Sequence, residues 1–286
     1  MELTQQQVNF FNTFGYLAFP GLFADHIDRI TESFEQVWTT NGGGHYGKPH
    51  DNQRRSALIQ FIDQDEYLSS LIDDHRIDGV ITSLLGNDYN YSGSDGNYYV
   101  GDTPWHSDGY KEKSINSLKM AFYLDPVDKD SGCLRVIPGS HIYGDGFAHT
   151  LEEVRSGQIT GGTQSSSEEL WGISPSDVPS VALESHPGDL VMFNHCIKHS
   201  SWGGGTRRRM FTLNFEERYS EDNLDELRTA MATETRFWID RNYGEAIVRT
   251  ANPKRMVHLE QRMANDGHMA ELARKKRAEM EEPSRG

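Results

Sequence analysis

Between about residues 87 and 218 the chain repeats one pattern. Short runs of aliphatic, aromatic and β-branched residues are cut by Gly- or Pro-containing breaks. "NSLKMAFYLDPV", "CLRVIPGSH", "SVALESHPGDLVMFNH" and "RRRMFTLNFEE" all follow it. Strands punctuated at this spacing suit an antiparallel sandwich or barrel. "NDYNYSGSDGNYYVG" reads as two further strands around an Asp95-Gly96 turn. Helical patterns lie on either side of this region. "TQQQVNFFNTFG" opens with Thr4 as cap and Gln7 three residues on, and Gly15 stops it. "YLAFPGLF" is a short strand ended by Pro20-Gly21, and helices are expected over 25–39 and 66–85. After Tyr219 the chain turns charged and helical again. Helices, then strands, then helices imply an α+β fold with a mainly β core of two sheets and helices packed outside one of them. No linker divides it. The expectation is a single domain, 1–286, with its β core at about 87–218 and a C-terminal helical extension at about 220–286.

The formal net charge is −15, which argues against nucleic acid as partner, because neutralising phosphates needs a basic face. No run approaches the roughly 18 apolar residues of a membrane helix, and "MELTQQQ" has neither region of a signal peptide, so a cytoplasmic protein is expected. Two cysteines, Cys133 and Cys196, are too few for a disulfide framework and read as small packing residues. Basic residues are uneven: "KEK" at 111–113, "RRR" at 207–209 and "ARKKR" at 273–277. The last is a solvated helix face. Lys111 and Lys113 lie near the chemistry argued next and suggest an anionic small-molecule substrate.

"TPWHSDGY" places His106 and Asp108 one residue apart. Alternate residues of an extended segment share a face, so two ligands converge there without special backbone. The strand region also holds His141, His149, His186, His195 and His199. His199 stands apart through its context: a turn, a strand, a glycine-rich reversal, then a second strand headed by arginines. A histidine leaving the first strand can face His106 and Asp108 across a barrel mouth, and the next strand can carry an arginine into the same cavity. Two imidazoles and one carboxylate leave three coordination positions open, the facial arrangement of non-haem Fe(II) oxygenases. A guanidinium nearby suits a bidentate grip on the far carboxylate of an organic acid that chelates the iron.

The segments "FNTFGYLAFPGLF", "PWHSDGY", "MAFYLDPVDKDSGCLRVIPGSH", "HPGDLVMFNHCIKHSS" and "RRRMFTLNF" together resemble the phytanoyl-CoA dioxygenase family of Fe(II)/2-oxoglutarate oxygenases. The resemblance runs through about three-quarters of the chain. It implies a double-stranded β-helix (jelly-roll, cupin-like) core and Fe(II) bound by His106, Asp108 and His199. It also implies 2-oxoglutarate and O2 as co-substrates, with hydroxylation of an unactivated C–H bond. Counting back from Phe215, the family's arginine falls on Arg208, with Arg209 as second choice. Ser201 matches a position whose hydroxyl contacts the same carboxylate. Where some members carry a pocket tryptophan this chain has Ala121, so Lys119 or Tyr123 is expected to help build the 2-oxoglutarate wall. In related halogenases a small residue replaces the carboxylate, and Asp108 therefore favours hydroxylation, with desaturation or ring closure as variants.

Trp105 and Tyr110 flank the metal pair. With Tyr99 and Lys111 they are the candidate substrate contacts. His195 is read as pocket wall and His141 as a structural residue after a turn. Arg54, Arg55, His45 and His50 lie in a loop that could fold over the site but is read as solvated, and segment 160–179 is read as a lid or a loose loop. Two other classes fit parts of the pattern: a cupin-like isomerase using the same ligands for another metal, or a non-catalytic metabolite binder. The first would lack the Arg208 strand head and Ser201, and the complete triad speaks against the second. A monomer or a homodimer is equally compatible with the sequence.

Overall fold

The computed structural model describes residues 1–109, 113–142, 168 and 172–286. His149, Tyr110, Lys111 and most of segment 160–179 lie outside the described residues. The first helix, α1 (Gln5–Phe14), begins in the expected capping box: Gln7 N–H donates to Thr4 Oγ1 and Thr4 N–H donates to the Gln7 side chain. Gly15 ends it at a positive φ of 82°. β1 (Tyr16–Phe19) and α2 (Ile27–Thr40) follow. The helix expected over 66–85 is two helices, α3 (Glu66–Ser70) and α4 (His75–Leu85). Asp74 breaks the run because it is extended (ψ 125°) and its carboxylate accepts from Arg76 N, which starts a fresh helix.

The other strands among the described residues are β2 (Ser56–Ile59), β3 (Asn90–Tyr99), β4 (Thr103–His106), β5 (Ser117–Tyr123), β6 (Leu134–Val136), β7 (Val181–Leu183), β8 (Leu190–Asn194), β9 (His199–Ser201) and β10 (Arg208–Glu216). They form two antiparallel sheets. The larger has the order β1-β8-β5-β10-β3-β2 and the smaller β4-β9-β6-β7. This is the double-stranded β-helix core, with helices outside the larger sheet.

Residue alternation assigns the two faces of the larger sheet. On β5 and β10, Leu118, Met120, Phe122, Phe211, Leu213 and Phe215 are buried in one cluster with α2 and α4 residues such as Phe34, Trp38, Ile77 and Ile81. The Phe122 and Phe211 rings stack at 4.6 Å across the strand pair. The other face carries Lys119, Ala121, Tyr123, Arg208, Met210, Thr212, Asn214 and Glu216, which line a cavity. Aromatic packing on one side therefore fixes the strands from which polar side chains project on the other.

The expected Asp95-Gly96 turn is instead mid-strand in β3, with Phe211 opposite Gly96 and Thr212 opposite Asp95. The glycine is there for space: a Cβ on Gly96 would lie 2.1 Å from the Phe61 ring. Asp95 points the other way, into the cavity. β2 has no expected counterpart. It pairs Ser56–Ile59 against Tyr98–Asp95 and brings the supposed solvated loop onto the sheet edge. His45 is buried and bonded to Ala57 O, and His50 bonds Ser56 Oγ and Thr206 O.

Beyond β10 come α5 (Leu224–Glu234), α6 (Glu245–Arg249), α7 (Pro253–Asn265) and α8 (Met269–Glu279). Among the described residues no helix is long and apolar enough to cross a membrane. α7 packs against β3 and joins the sheet through Arg262, which is 1% exposed. Its guanidinium reaches Glu216 at 2.6 Å, Glu234 at 2.8 Å and Asn242 Oδ1 at 3.0 Å. Burial pushes Glu216 up, but the Arg262 and Lys113 charges outweigh it and hold the carboxyl below its ordinary value. Arg262→Met would set the buried Glu216 carboxylate and the half-buried Glu234 carboxylate against an apolar side chain. It is expected to cost about 3–5 kcal/mol of stability in chemical denaturation. A loss below about 1 kcal/mol would mean that the network does not hold the C-terminal helices to the sheet.

Candidate metal centre and active site

β4 and β9 pair antiparallel with His106 directly opposite His199, and the ring centroids are 4.2 Å apart. Each ring is oriented by a backbone carbonyl. His106 Nδ1 lies 2.8 Å from Pro104 O and His199 Nδ1 lies 3.1 Å from Ile197 O. A carbonyl only accepts, so both Nδ1 atoms carry the proton and both Nε2 atoms present a lone pair. Those lone pairs converge on Asp108: His106 Nε2 is 3.8 Å from Oδ1 and His199 Nε2 is 3.6 Å from Oδ2. One ligand atom from each of the three lies within 4.8 Å of the others.

The protonation states suit a cation. Burial, then the neighbouring His106, pushes His199 down to about 3, and burial likewise lowers His106. Both imidazoles are neutral near pH 7, as metal ligands must be. Burial alone would raise Asp108, but the Lys119 ammonium holds its carboxyl well below the ordinary range. Lys119 Nζ is 2.8 Å from Asp108 Oδ2. Behind the ligands, the buried Lys198 donates to Ser107 Oγ at 3.1 Å, joining the two ligand-bearing segments. Phe193 packs on the His199 ring at 4.8 Å.

Arg208 enters the same cavity from the head of β10 and is 6% exposed. Its Nη2 donates to Ser201 Oγ at 3.0 Å, while Nε and Nη1 have no acceptor among the described residues. The guanidinium fills space that two glycines leave open: a Cβ on Gly132 or Gly204 would lie 1.8 Å or 2.2 Å from Nη1. Two buried guanidinium nitrogens without acceptors are costly unless an anion completes them. Arg209, the second choice, faces away and pairs with Asp125 at 2.6 Å and Glu35 at 2.9 Å.

The cavity encloses about 550 Å³, the size of a typical small-molecule pocket. Tyr99, Lys119 and Tyr123 line it as expected. Trp105 corrects the expectation of substrate contact: it is buried with Ile137 and Val178, and its indole N–H donates to Pro175 O. Strand alternation explains this, because Trp105 and His106 point to opposite faces. Lys113 lines the cavity but is tied to Glu216 at 3.2 Å. His195 is pocket wall, and its Nε2 lies 3.0 Å from Asn214 Oδ1. His141 is structural, reaching Asn12 O.

Sequence reasoning missed Arg55, Asp95, Asn214 and the C-terminal residues Thr233, Glu234 and Arg236, all of which line the cavity. The alternation of polar Thr212, Asn214 and Glu216 with phenylalanine and leucine on β10 was a usable signal for Asn214. Arg55 and Arg236 carry no local signal, because only the tertiary fold brings them to the site.

The phytanoyl-CoA dioxygenase family model matches residues 11–210. A search of curated proteins finds no match. Among solved structures, the carbocyclase SnoK from nogalamycin biosynthesis, described as non-haem and α-ketoglutarate dependent, aligns at 22% identity. The alignment covers 75% of this chain and 84% of SnoK, with a TM-score of 0.58. EctD from S. alaskensis, solved with 2-oxoglutarate and 5-hydroxyectoine, aligns at 21% identity over 75% of this chain and 76% of its own, TM-score 0.55. HygX from Streptomyces hygroscopicus, solved with nickel and 2-oxoglutarate, gives 14% identity, 77% and 89% coverage and a TM-score of 0.56. At these identities the three share the fold with this chain. The family match spans most of the sequence and includes His106, Asp108, His199 and Arg208: the chain belongs to the phytanoyl-CoA dioxygenase family and is an enzyme of the non-haem iron, 2-oxoglutarate-dependent class.

Proposed function

We propose that the protein hydroxylates an unactivated C–H bond of a small molecule, with His106, Asp108 and His199 as the ligands of Fe(II). We propose further that residues 1–286 work as one domain, because the C-terminal helices supply part of the cavity wall. The observation that carries the reading is a juxtaposition within one cavity. Two bare imidazole nitrogens and a carboxylate converge beside a buried guanidinium that retains two donors without acceptors.

When bound, ferrous iron with 2-oxoglutarate supplies the oxidising chemistry: O2 is consumed, the keto acid becomes succinate and CO2, and one oxygen atom goes to the substrate. The chain's own residues position and enclose. The carbonyls of Pro104 and Ile197 hold the two imidazoles in the tautomer that leaves Nε2 bare. Lys119 fixes the Asp108 carboxylate from the side. Arg208 and Ser201 grip the far carboxylate of 2-oxoglutarate, a planar fork matched to two oxygens. Tyr123, Phe193 and Met210 pack around these groups and keep water out. A cupin-like isomerase would have no use for the guanidinium site, and a simple binder would have no use for the complete His106, Asp108 and His199 set.

Adding Fe(II) and 2-oxoglutarate anaerobically to the wild type should produce the visible charge-transfer band of the chelate, and His199→Ala should abolish it. No band in the wild type, or an unchanged band in the variant, would overturn the ligand assignment. Arg208→Gln should raise the 2-oxoglutarate concentration needed for half of that band by about 10- to 100-fold, from the loss of charge-assisted hydrogen bonds. The band at saturation should survive. An unshifted midpoint would move the carboxylate grip to another residue.

A further inference from the structure

The cavity walls carry six cationic side chains and four carboxylates among the described residues. Each carboxylate has a cationic partner. Asp108 pairs with Lys119 at 2.8 Å and Asp95 with Arg55 at 3.3 Å. Glu216 pairs with Lys113 at 3.2 Å and with Arg262 at 2.6 Å, and Glu234 with Arg262 at 2.8 Å. Among the described residues two of these cations have no carboxylate within 4 Å: Arg208 and Arg236. In a chain of net charge −15, a cavity lined by more cationic than acidic side chains runs against the overall composition.

Arg208 is accounted for by 2-oxoglutarate in the proposed function, on which this inference rests. Arg236 is not. It follows α5, and its guanidinium lies 4.4 Å from the Phe237 ring centroid. Nη1 donates to Thr233 O at 3.2 Å, one turn back, and Nε and Nη2 have no acceptor among the described residues. Arg55 lines the same cavity and lies 4.4 Å from the Tyr99 ring centroid; Asn97 holds its Nε, Asp95 its Nη2, and Gly286 lies against its Nη1. Burial pushes the Arg236 guanidinium below its ordinary value, Glu234 opposes this, and the nearby Arg55 charge adds to it. Asp95 already balances Arg55, so among the described residues the charge at this wall that has no carboxylate within ion-pair distance is that of Arg236.

We propose that Arg236, assisted by Arg55, is the substrate anchor: it binds an oxyanion, a carboxylate or phosphate ester, at the end of the substrate remote from the C–H bond to be oxidised. Binding energy at that end fixes the distance of the reacting carbon from the metal centre, so the anchor selects both the substrate and the position attacked. Thr233, one turn back from Arg236, also lines the cavity. The anchor falls in the C-terminal part of the chain, beyond residue 210 where the family match ends.

The test is calorimetric titration of the anaerobic enzyme, with Fe(II) and saturating 2-oxoglutarate, using methyl phosphate and, in parallel, propionate. At least one probe should bind, one per chain. Arg236→Gln should weaken it by at least about tenfold, and Arg236→Lys should retain part of the affinity. The chelate band should be unchanged in both variants, and Arg208→Gln should leave probe binding intact while weakening 2-oxoglutarate. Tighter binding of methyl phosphate would assign a phosphate ester, and tighter binding of propionate a carboxylate. Failure of both probes to bind the wild type overturns the proposal without any variant having to fold. So does an Arg236→Gln isotherm that superimposes on the wild type. The band reports the metal reading and the heat reports the anion site, so either can fail without the other.

Discussion

The site rests on one antiparallel pairing, His106 of β4 opposite His199 of β9. The two residues are far apart in the chain, and β9 is three residues long. What keeps so short a strand in register is its position between β4 and β6, with Arg135 opposite Ser200 and Val136 opposite His199. The bond from Lys198 to Ser107 joins the same two segments beside the ligands. A slip of one residue would turn His199 to the other face of its sheet and bring Lys198 or Ser200 into the ligand position. The same pairing places Ser201 opposite Thr103, and thereby sets the hydroxyl against Arg208.

The larger sheet supplies the rest by dividing its residues between two environments. Its helix-facing side is an aromatic and aliphatic cluster in which Phe34, Phe61, Phe122 and Phe211 meet at centroid distances of 4.6–6.4 Å. Packing of this kind gives each strand little freedom to rotate. Lys119, Arg208, Thr212 and Asn214 therefore project from a rigid floor. Functional groups on strands supported in this way are held more tightly than groups on loops.

Burying so much charge is costly, and the fold offsets the cost by alternating sign along the cavity wall. Asp108, Lys119, Asp95 and Arg55 form a chain of opposite charges leading away from the metal centre. Glu216, Arg262 and Glu234 form a second cluster that also ties α7 to β10 and α5. Each pair recovers in Coulomb energy part of what desolvation takes, and removing one member strands the other. The C-terminal helices thus have two functions: they cover the outside of the sheet and they close the far side of the cavity.

Much of this was legible in residue order. The strand run, the capping box at Thr4 and the His-x-Asp pair are local patterns. Alternation along β10 separates Arg208 from Arg209 before any coordinates are known. Local reading failed where a residue's neighbour is distant in the chain. Asp95-Gly96 has the composition of a turn, yet it lies mid-strand, because Phe61 needs the space a Cβ would fill and Lys119 and Arg55 need the carboxylate. Trp105 was assigned to the cavity from its place beside His106, although pleating sends adjacent side chains to opposite faces. By itself the sequence determined the metal-binding chemistry, because ligand type and strand period are properties of short segments. Only the tertiary structure decided which charges meet. It brought Arg55 and Arg236 into one cavity and, among the described lining residues, left one guanidinium besides that of Arg208 with no carboxylate in ion-pair contact, since charge balance in a cavity depends on every chain segment that lines it.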